Sequence, residues 1–350
     1  MDQSAWVRAY LSELDRLSEL TPDRIVSTIF FGGGTPSLML PETVAAIIER
    51  VRKNWRCTND IEITLEANPT SVEAGRFNGF RQAGVNRISM GIQALNDTDL
   101  KLLGRLHSVS EAERAFDIAR TAFERVSFDL IYARQNQTAA DWEAELTRAL
   151  GMAVDHLSLY QLTIEDGTAF GDRFARGGLR GLPGDDLSAD LFEMTQSITE
   201  AYGFAAYEVS NHAKTGEESR HNLVYWRGGD YVGVGPGAHG RFDASGDRLA
   251  TETYLAPTKW LEAVNTKGTG ENAVSRLTKE EQALEYLLMS LRLAEGCDMN
   301  WLRELDQNSI SINKIKELSE MGHLHHDGSR LIVPARSKIL LNAILAQLVA

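Results

Sequence analysis

Between residues 25 and 162 the chain alternates apolar, strand-like runs with helical segments, and no other feature restricts its possible folds as strongly. IVSTIFF (25–31), IEITLE (61–66), NRISMGI (86–92), VSFDLIY (126–132) and HLSLYQL (156–162) read as strands. Between them, 41–55, 71–83, 97–103, 111–123 and 139–150 read as helices, the first opened by Pro41. Ahead of the first strand, Trp6, Tyr10, Leu14 and Leu17 share one face of a helix over 5–20. Continuous apolar strands joined by helical crossovers imply a parallel sheet covered by helices, as a TIM-like barrel or a doubly wound sheet.

Past the fifth strand come the glycine-rich RGGLRGLPGDD, a helix over 188–202 and a short strand, AAYEVSN (205–211). From residue 278 the pattern changes to three helices, a hairpin-like HLHHDGSRLIV and a final helix, the order of a small winged-helix-like unit. The expected division is therefore 1–245, a partial barrel with an extension, and 246–350, a C-terminal domain. A formal net charge of -13 argues against a general nucleic-acid binder, which needs clustered Lys and Arg. No apolar run reaches the length of a membrane span, and the charged amphipathic N-terminus does not read as a signal peptide, so the expected location is the cytoplasm. Two cysteines, Cys57 and Cys297, are too few for a disulfide scaffold or a CxxC knuckle.

Ligands in parallel α/β sheets bind at the carboxyl ends of the strands. There the first strand runs into Gly32, Gly33, Gly34, Thr35 and Pro36, the second ends in Glu66 and the third in Gln93, while Asp129 lies in the fourth and Tyr160 and Gln161 end the fifth. One carboxylate at a strand end often only caps the next helix. Five polar or glycine ends on one rim point to a ligand site instead, and glycine N–H donors beside carboxylates and an amide suit a zwitterionic, ribose-bearing molecule.

GGGTP, LEANP, NRISMGIQ with LGRLHS beyond it, FDLIY and LSLYQL, in this order, resemble the radical S-adenosylmethionine proteins of the oxygen-independent coproporphyrinogen oxidase group. YEVSNHA, SRHNLVYWRGGDYVGVGPGAHG and the C-terminal block are similar to the haem-chaperone branch of that group, and the resemblance covers residues 2–349. It implies a partial (β/α)6 TIM-like barrel lacking its first strand, with a winged-helix-like helical C-terminal domain. By the same resemblance Gly33 and Gly34, with Thr35, meet the methionyl end of S-adenosylmethionine, and Glu66, Gln93, Arg105 and Asp129 line the same cofactor site. Carboxylates such as Asp129 hold ribose hydroxyls and Arg105 pairs with a carboxylate, so the chemistry agrees. In RHNLVYW, His221, Asn222, Tyr225 and Trp226 combine an imidazole with flat aromatics, residue types that suit a haem face and its iron, and a buried structural histidine is the alternative reading of His221. The implied role is binding haem as cargo and delivering it to haem-requiring respiratory proteins. The alternatives are oxidative decarboxylation of coproporphyrinogen III by an adenosyl radical, and a clusterless scaffold that only binds a partner.

The family's C-x3-C-x2-C loop, whose thiolates hold a [4Fe-4S] cluster, has no counterpart in this sequence; neither cysteine matches a cluster ligand, so no metal ligand is assigned in this chain. Its first strand matches the family's second. Either the natural start lies upstream of Met1 or the chain is a clusterless variant, and as written it is not expected to make a 5′-deoxyadenosyl radical. DLIYARQNQT also departs from the family, with Gln135 and Asn136 in place of a Pro-Gly pair; Asn tolerates left-handed dihedrals, so the turn can persist. GPGAHG fits a dinucleotide fingerprint only formally, because no helix opens after it, and HLHHDG reads as a polar hairpin turn before it reads as a metal site.

Overall fold

The computed structural model describes residues 3–70, 74–164, 167 and 169–349. Helix α1 (Gln3–Leu20) leads into β1 (Ile25–Phe31), followed by α2 (Pro41–Asn54), β2 (Arg56–Ala67), α3 (Phe77–Ala83), β3 (Arg87–Gln93), α4 (Asp97–Leu102), α5 (Val109–Ala122), β4 (Arg125–Tyr132), α6 (Ala139–Met152) and β5 (His156–Gln161). Strands β1 to β5 pair in sequence order and in parallel, the arrangement of a curled half-barrel. The expected alternation of strands and helices is present with shifted ends. Residues 71–73, the start of one expected helix, lie outside the described residues. Helix α5 begins two positions earlier than expected because Ser108 caps it: the Ser108 hydroxyl accepts from the Glu111 N–H, and the Glu111 carboxylate accepts from the Ser108 N–H at 2.8 Å.

The strands differ from the expected continuous apolar runs. Side chains alternate across a strand. Ile63, Leu65, Ile88, Met90, Val126, Phe128, Leu157 and Leu159 are buried on one face, in a core cluster shared with the helices. The alternate positions, among them Glu62, Thr64, Arg87, Ser127, Asp129 and His156, carry polar groups into the concave face. These polar groups pair with one another: Arg125 donates to Glu62 at 2.7 Å and to Asp155 at 2.9 Å, and the buried Arg87 donates to Ser127 Oγ at 2.9 Å. A polar concave face marks a lumen, where an ordinary doubly covered sheet would carry a second apolar layer.

Beyond β5 follow α7 (Ala169–Ala175), α8 (Asp185–Ala201), β6 (Ala205–Ala206), β7 (Asn211–Ala213) and α9 (Arg220–Trp226). The expected single strand AAYEVSN is a correction: the chain reverses within it, so β6 and β7 pair antiparallel with Ala206 opposite His212. The Glu208 carboxylate causes the reversal, accepting from Ser210 N–H at 2.7 Å and Asn211 Nδ2 at 2.6 Å. β7 then pairs antiparallel with β5 and completes, among the described residues, a seven-stranded sheet.

Next come β8 (His239–Ala244), β9 (Asp247–Thr253), α10 (Pro257–Lys267) and β10 (Glu271–Arg276), a small antiparallel sheet whose helix α10 packs its Trp260 on Trp6 of α1, ring centroids 5.6 Å apart. Then α11 (Lys279–Ser290), β11 (Cys297–Asp298), α12 (Met299–Leu305), α13 (Ile312–Glu320), β12 (His325–His326), β13 (Arg330–Ile332) and α14 (Leu341–Leu348) reproduce the helix, helix, helix, hairpin, helix order read from the sequence. They enclose an apolar cluster of their own, running from Ala283 to Leu348. No helix of the described residues is long and apolar enough to cross a membrane.

Candidate functional site

The carboxyl ends of β1 to β4 bring most of the rim residues together. After β1 the chain turns through Gly33 (φ 74°) and Gly34 (φ 53°), left-handed conformations that disfavour side chains, with open space where each Cβ would stand. Gly32 is needed for a different reason: a Cβ there would come within 2.6 Å of the Phe30 ring and 3.3 Å of Glu66 Oε2. The Gly33 N–H donates to Glu66 Oε2 at 3.1 Å, which fixes the loop over the end of β2. Burial raises the Glu66 carboxyl, and the Gly33 N–H offsets part of that. Thr35 closes the loop, its carbonyl accepting from Leu38 N–H at 3.1 Å.

On the neighbouring strands, Gln93 Nε2 donates to Asp129 Oδ2 at 3.2 Å, and Arg105, from the loop after α4, donates to Gln93 Oε1. Gln93 has φ 73°, a strained conformation for a residue with a side chain, at the point where the β3–β4 register shifts. Asp129 is half-buried as a residue, but its Oδ1 lies out of solvent and has no hydrogen-bond partner. Burial pushes its carboxyl up to about 7, the nearby Arg105 charge acting in the opposite sense. A buried carboxylate oxygen without a donor is costly in a finished fold. Such an oxygen calls for a donor from outside the chain, so the rim fits the sugar hydroxyls of a nucleoside. Asn136, in the departing turn after β4, adopts φ 58° and its N–H donates to Gly181 O at 2.6 Å, so Asn holds the turn as expected.

His221 is set apart from that rim. On α9 its ring stacks on Phe30 (centroids 4.5 Å apart, 15° between planes), its Nδ1 lies 3.2 Å from Thr28 Oγ1 and its Nε2 2.8 Å from the Tyr225 hydroxyl. Burial, helped by the Arg87 charge, lowers it to about 4, so the ring is neutral at pH 7 and both its nitrogens are engaged within the protein. Phe30, which ties His221 to Gly32, went unread in the sequence; its signal was the alternation with Thr28 that turns both side chains to the lumen. GPGAHG runs directly into β8, and HLHHDG forms the β12–β13 turn, closed by Asp327 Oδ1 accepting from Ser329 and Arg330 N–H. Among the described residues no group of three His, Cys, Asp or Glu side chains could hold a metal. Cys57 lies at the start of β2, opposite Val26 and at the far end of the sheet from the rim, while Cys297 is buried in the C-terminal cluster. The cysteines present do not fit an iron–sulfur cluster.

Fold and rim together define a parallel α/β half-barrel with a polar site at the carboxyl ends of its strands. A model of the radical SAM superfamily matches residues 7–149. A radical S-adenosyl methionine domain-containing protein 1 from Danio rerio, named mitochondrial, is 42% identical over 81% of this chain, which spans 65% of that relative's length. The heme chaperone HemW of Haemophilus influenzae is 33% identical over 95% of this chain and 86% of its own length. The solved structure of coproporphyrinogen III oxidase (HemN) from Escherichia coli superposes with a TM-score of 0.80 at 20% identity, over 99% of this chain and 82% of that one, a likeness of fold. The chain belongs to the radical S-adenosylmethionine family that includes HemN and HemW.

Proposed function

We propose that this chain is a haem chaperone that binds S-adenosylmethionine at the rim and carries haem as cargo for haem-requiring respiratory proteins. The observation that carries the cofactor half is the unpaired, buried Oδ1 of Asp129 beside Gln93, on the same rim as a loop where Gly33 and Gly34 leave the backbone open. Gly33, Gly34 and Thr35 would receive the methionyl group, Arg105 its carboxylate, and Glu66, Gln93 and Asp129 the polar edge and ribose. When bound to a cluster, S-adenosylmethionine supplies an adenosyl radical; Cys57 and Cys297 of this chain do not fit a cluster. The residues themselves bind and orient. The Gly33 N–H holds Glu66 in place, the Arg105–Gln93–Asp129 chain aims the carboxylate, and the polar lumen beneath keeps Arg87 and Arg125 paired.

The cargo half is supported by likeness over nearly the whole chain to proteins named heme chaperones. Its test is a titration of the purified chain with ferric haem. Saturable one-to-one growth of a shifted Soret band, followed by transfer of haem to an apo-respiratory acceptor, is the expected result. No Soret change would remove the haem reading.

A further inference from the structure

A second concavity lies away from the rim, where α9 ends, the β8–β9 hairpin folds back and α11 begins. It encloses about 420 Å³, inside the range of roughly 300–1,000 Å³ usual for small-molecule sites. Tyr225, Tyr231, Tyr286, Met289 and Trp301 supply its flat and thioether surfaces, Arg241, Arg248 and Lys279 its cations, and Asp243, Asp247 and Glu285 its carboxylates. Two of these large apolar groups stay uncovered inside the hollow, Trp301 at 46% and Met289 at 36% exposure. On α11, Gln282, Glu285, Tyr286 and Met289 recur at helical spacing toward it, while Ala283 and Leu287 of the same helix are buried in the C-terminal core.

The cations are held in place. Arg241 is gripped by Glu285 at 3.0 to 3.1 Å and Arg248 by Asp230 at 2.8 Å, with Arg248 Nη2 also donating to the Gly228 and Gly229 carbonyls. A guanidinium has five donors, so Arg241, which uses three here, keeps two in reserve. Lys279 stands exposed at the mouth. Broad aromatic walls, a soft thioether and cations set among carboxylates match a flat, mostly apolar macrocycle whose few carboxylates take the free Arg241 donors and Lys279.

We propose that this groove, and not the His221 ring, seats the tetrapyrrole, an inference that rests on the haem-chaperone reading above. The geometry also ties the groove to the rim. Tyr225 forms part of its wall, the Tyr225 hydroxyl meets His221 Nε2, His221 stacks on Phe30, and Phe30 packs beneath Gly32. His221 is then a positioning residue that connects cargo and cofactor sites.

The test titrates ferric haem into the full chain and into Trp301→Ala and Lys279→Glu, following the Soret band. Both positions are exposed, so folding should survive, and unchanged circular dichroism and melting temperature verify it. Each substitution is expected to weaken haem binding by about tenfold, and the pair by more. Wild-type affinity in both variants, while the wild type itself binds, would overturn the groove alone. A wild type without any Soret change would instead sink the haem-chaperone reading, and the groove with it.

Discussion

Burial raises the Asp129 carboxyl to about 7 from an ordinary 3.8, which makes the rim pH-sensitive. The folded state holds this proton more tightly than the unfolded chain, so the associated stability is fully present below pH 3.8 and is lost as pH rises through about 7. Denaturant titrations from pH 4 to 8 should therefore show the wild type losing stability relative to Asp129→Asn as pH rises; a difference that does not change with pH would contradict the assignment. The same carboxylate accepts hydroxyl donors most strongly when ionised, so S-adenosylmethionine affinity should climb with pH and level off above about 7, with a flat profile in Asp129→Asn. At Gly33, a β-branched residue would be forced into φ 74°, a conformation costing of order 1–3 kcal/mol. Gly33→Val should accordingly lose S-adenosylmethionine binding by tenfold or more, as measured by calorimetry, and retained affinity would exclude the loop from the site. Glu66, Gln93 and Asp129 were legible in the sequence because each falls in or at the end of an apolar run. Their connection was not, since the Gln93–Asp129 bond depends on a register shift between β3 and β4 that no residue pattern announces.

At the scale of elements, local chemistry places the ends of the helices. Ser108 opens α5, Thr138 opens α6 and Thr278 opens α11, each with an acidic residue three positions on that completes a capping box. Ser108→Ala should cost about 1 kcal/mol in chemical denaturation, and a loss below a few tenths would mean that the cap is redundant with packing. Strands and helices of the barrel could be read because their periods differ. The reversal inside AAYEVSN could not, because Glu208 is an ordinary acidic residue until Ser210 and Asn211 are seen to donate to it. Likewise the combination of His221, Tyr225 and Trp226 was visible as a set of residue types, whereas the engagement of both ring nitrogens by Thr28 and Tyr225 appears only when α9 is laid against β1.

Across the molecule, α9 and the β6–β7 reversal join the half-barrel to the C-terminal helices. Arg292 lies 4.7 Å over the Trp226 ring and reaches the buried Glu208 at 3.4 Å, Arg227 forms a forked pair with Glu295 at 2.8 Å, and Ala294 N–H donates to Tyr207 O at 2.9 Å. Arg292→Ala should destabilise the chain by roughly 1–3 kcal/mol, since it removes a cation from an aromatic face and a partner from a buried carboxylate; an unchanged melting curve would show that the junction is held elsewhere. The proposed domain division at 245/246 falls at the tip of the β8–β9 hairpin, whose arms carry Arg241 and Arg248 into the groove facing α11. Such a groove, assembled from segments distant in sequence, leaves no motif to read. The rim is the feature on which cofactor binding depends, and calorimetric titration of the full chain with S-adenosylmethionine at pH 7.5 tests it most directly. Saturable one-to-one binding that Asp129→Asn weakens by at least about tenfold is the predicted result. Binding that ignores the substitution, or no binding at all, would contradict the rim as the cofactor site.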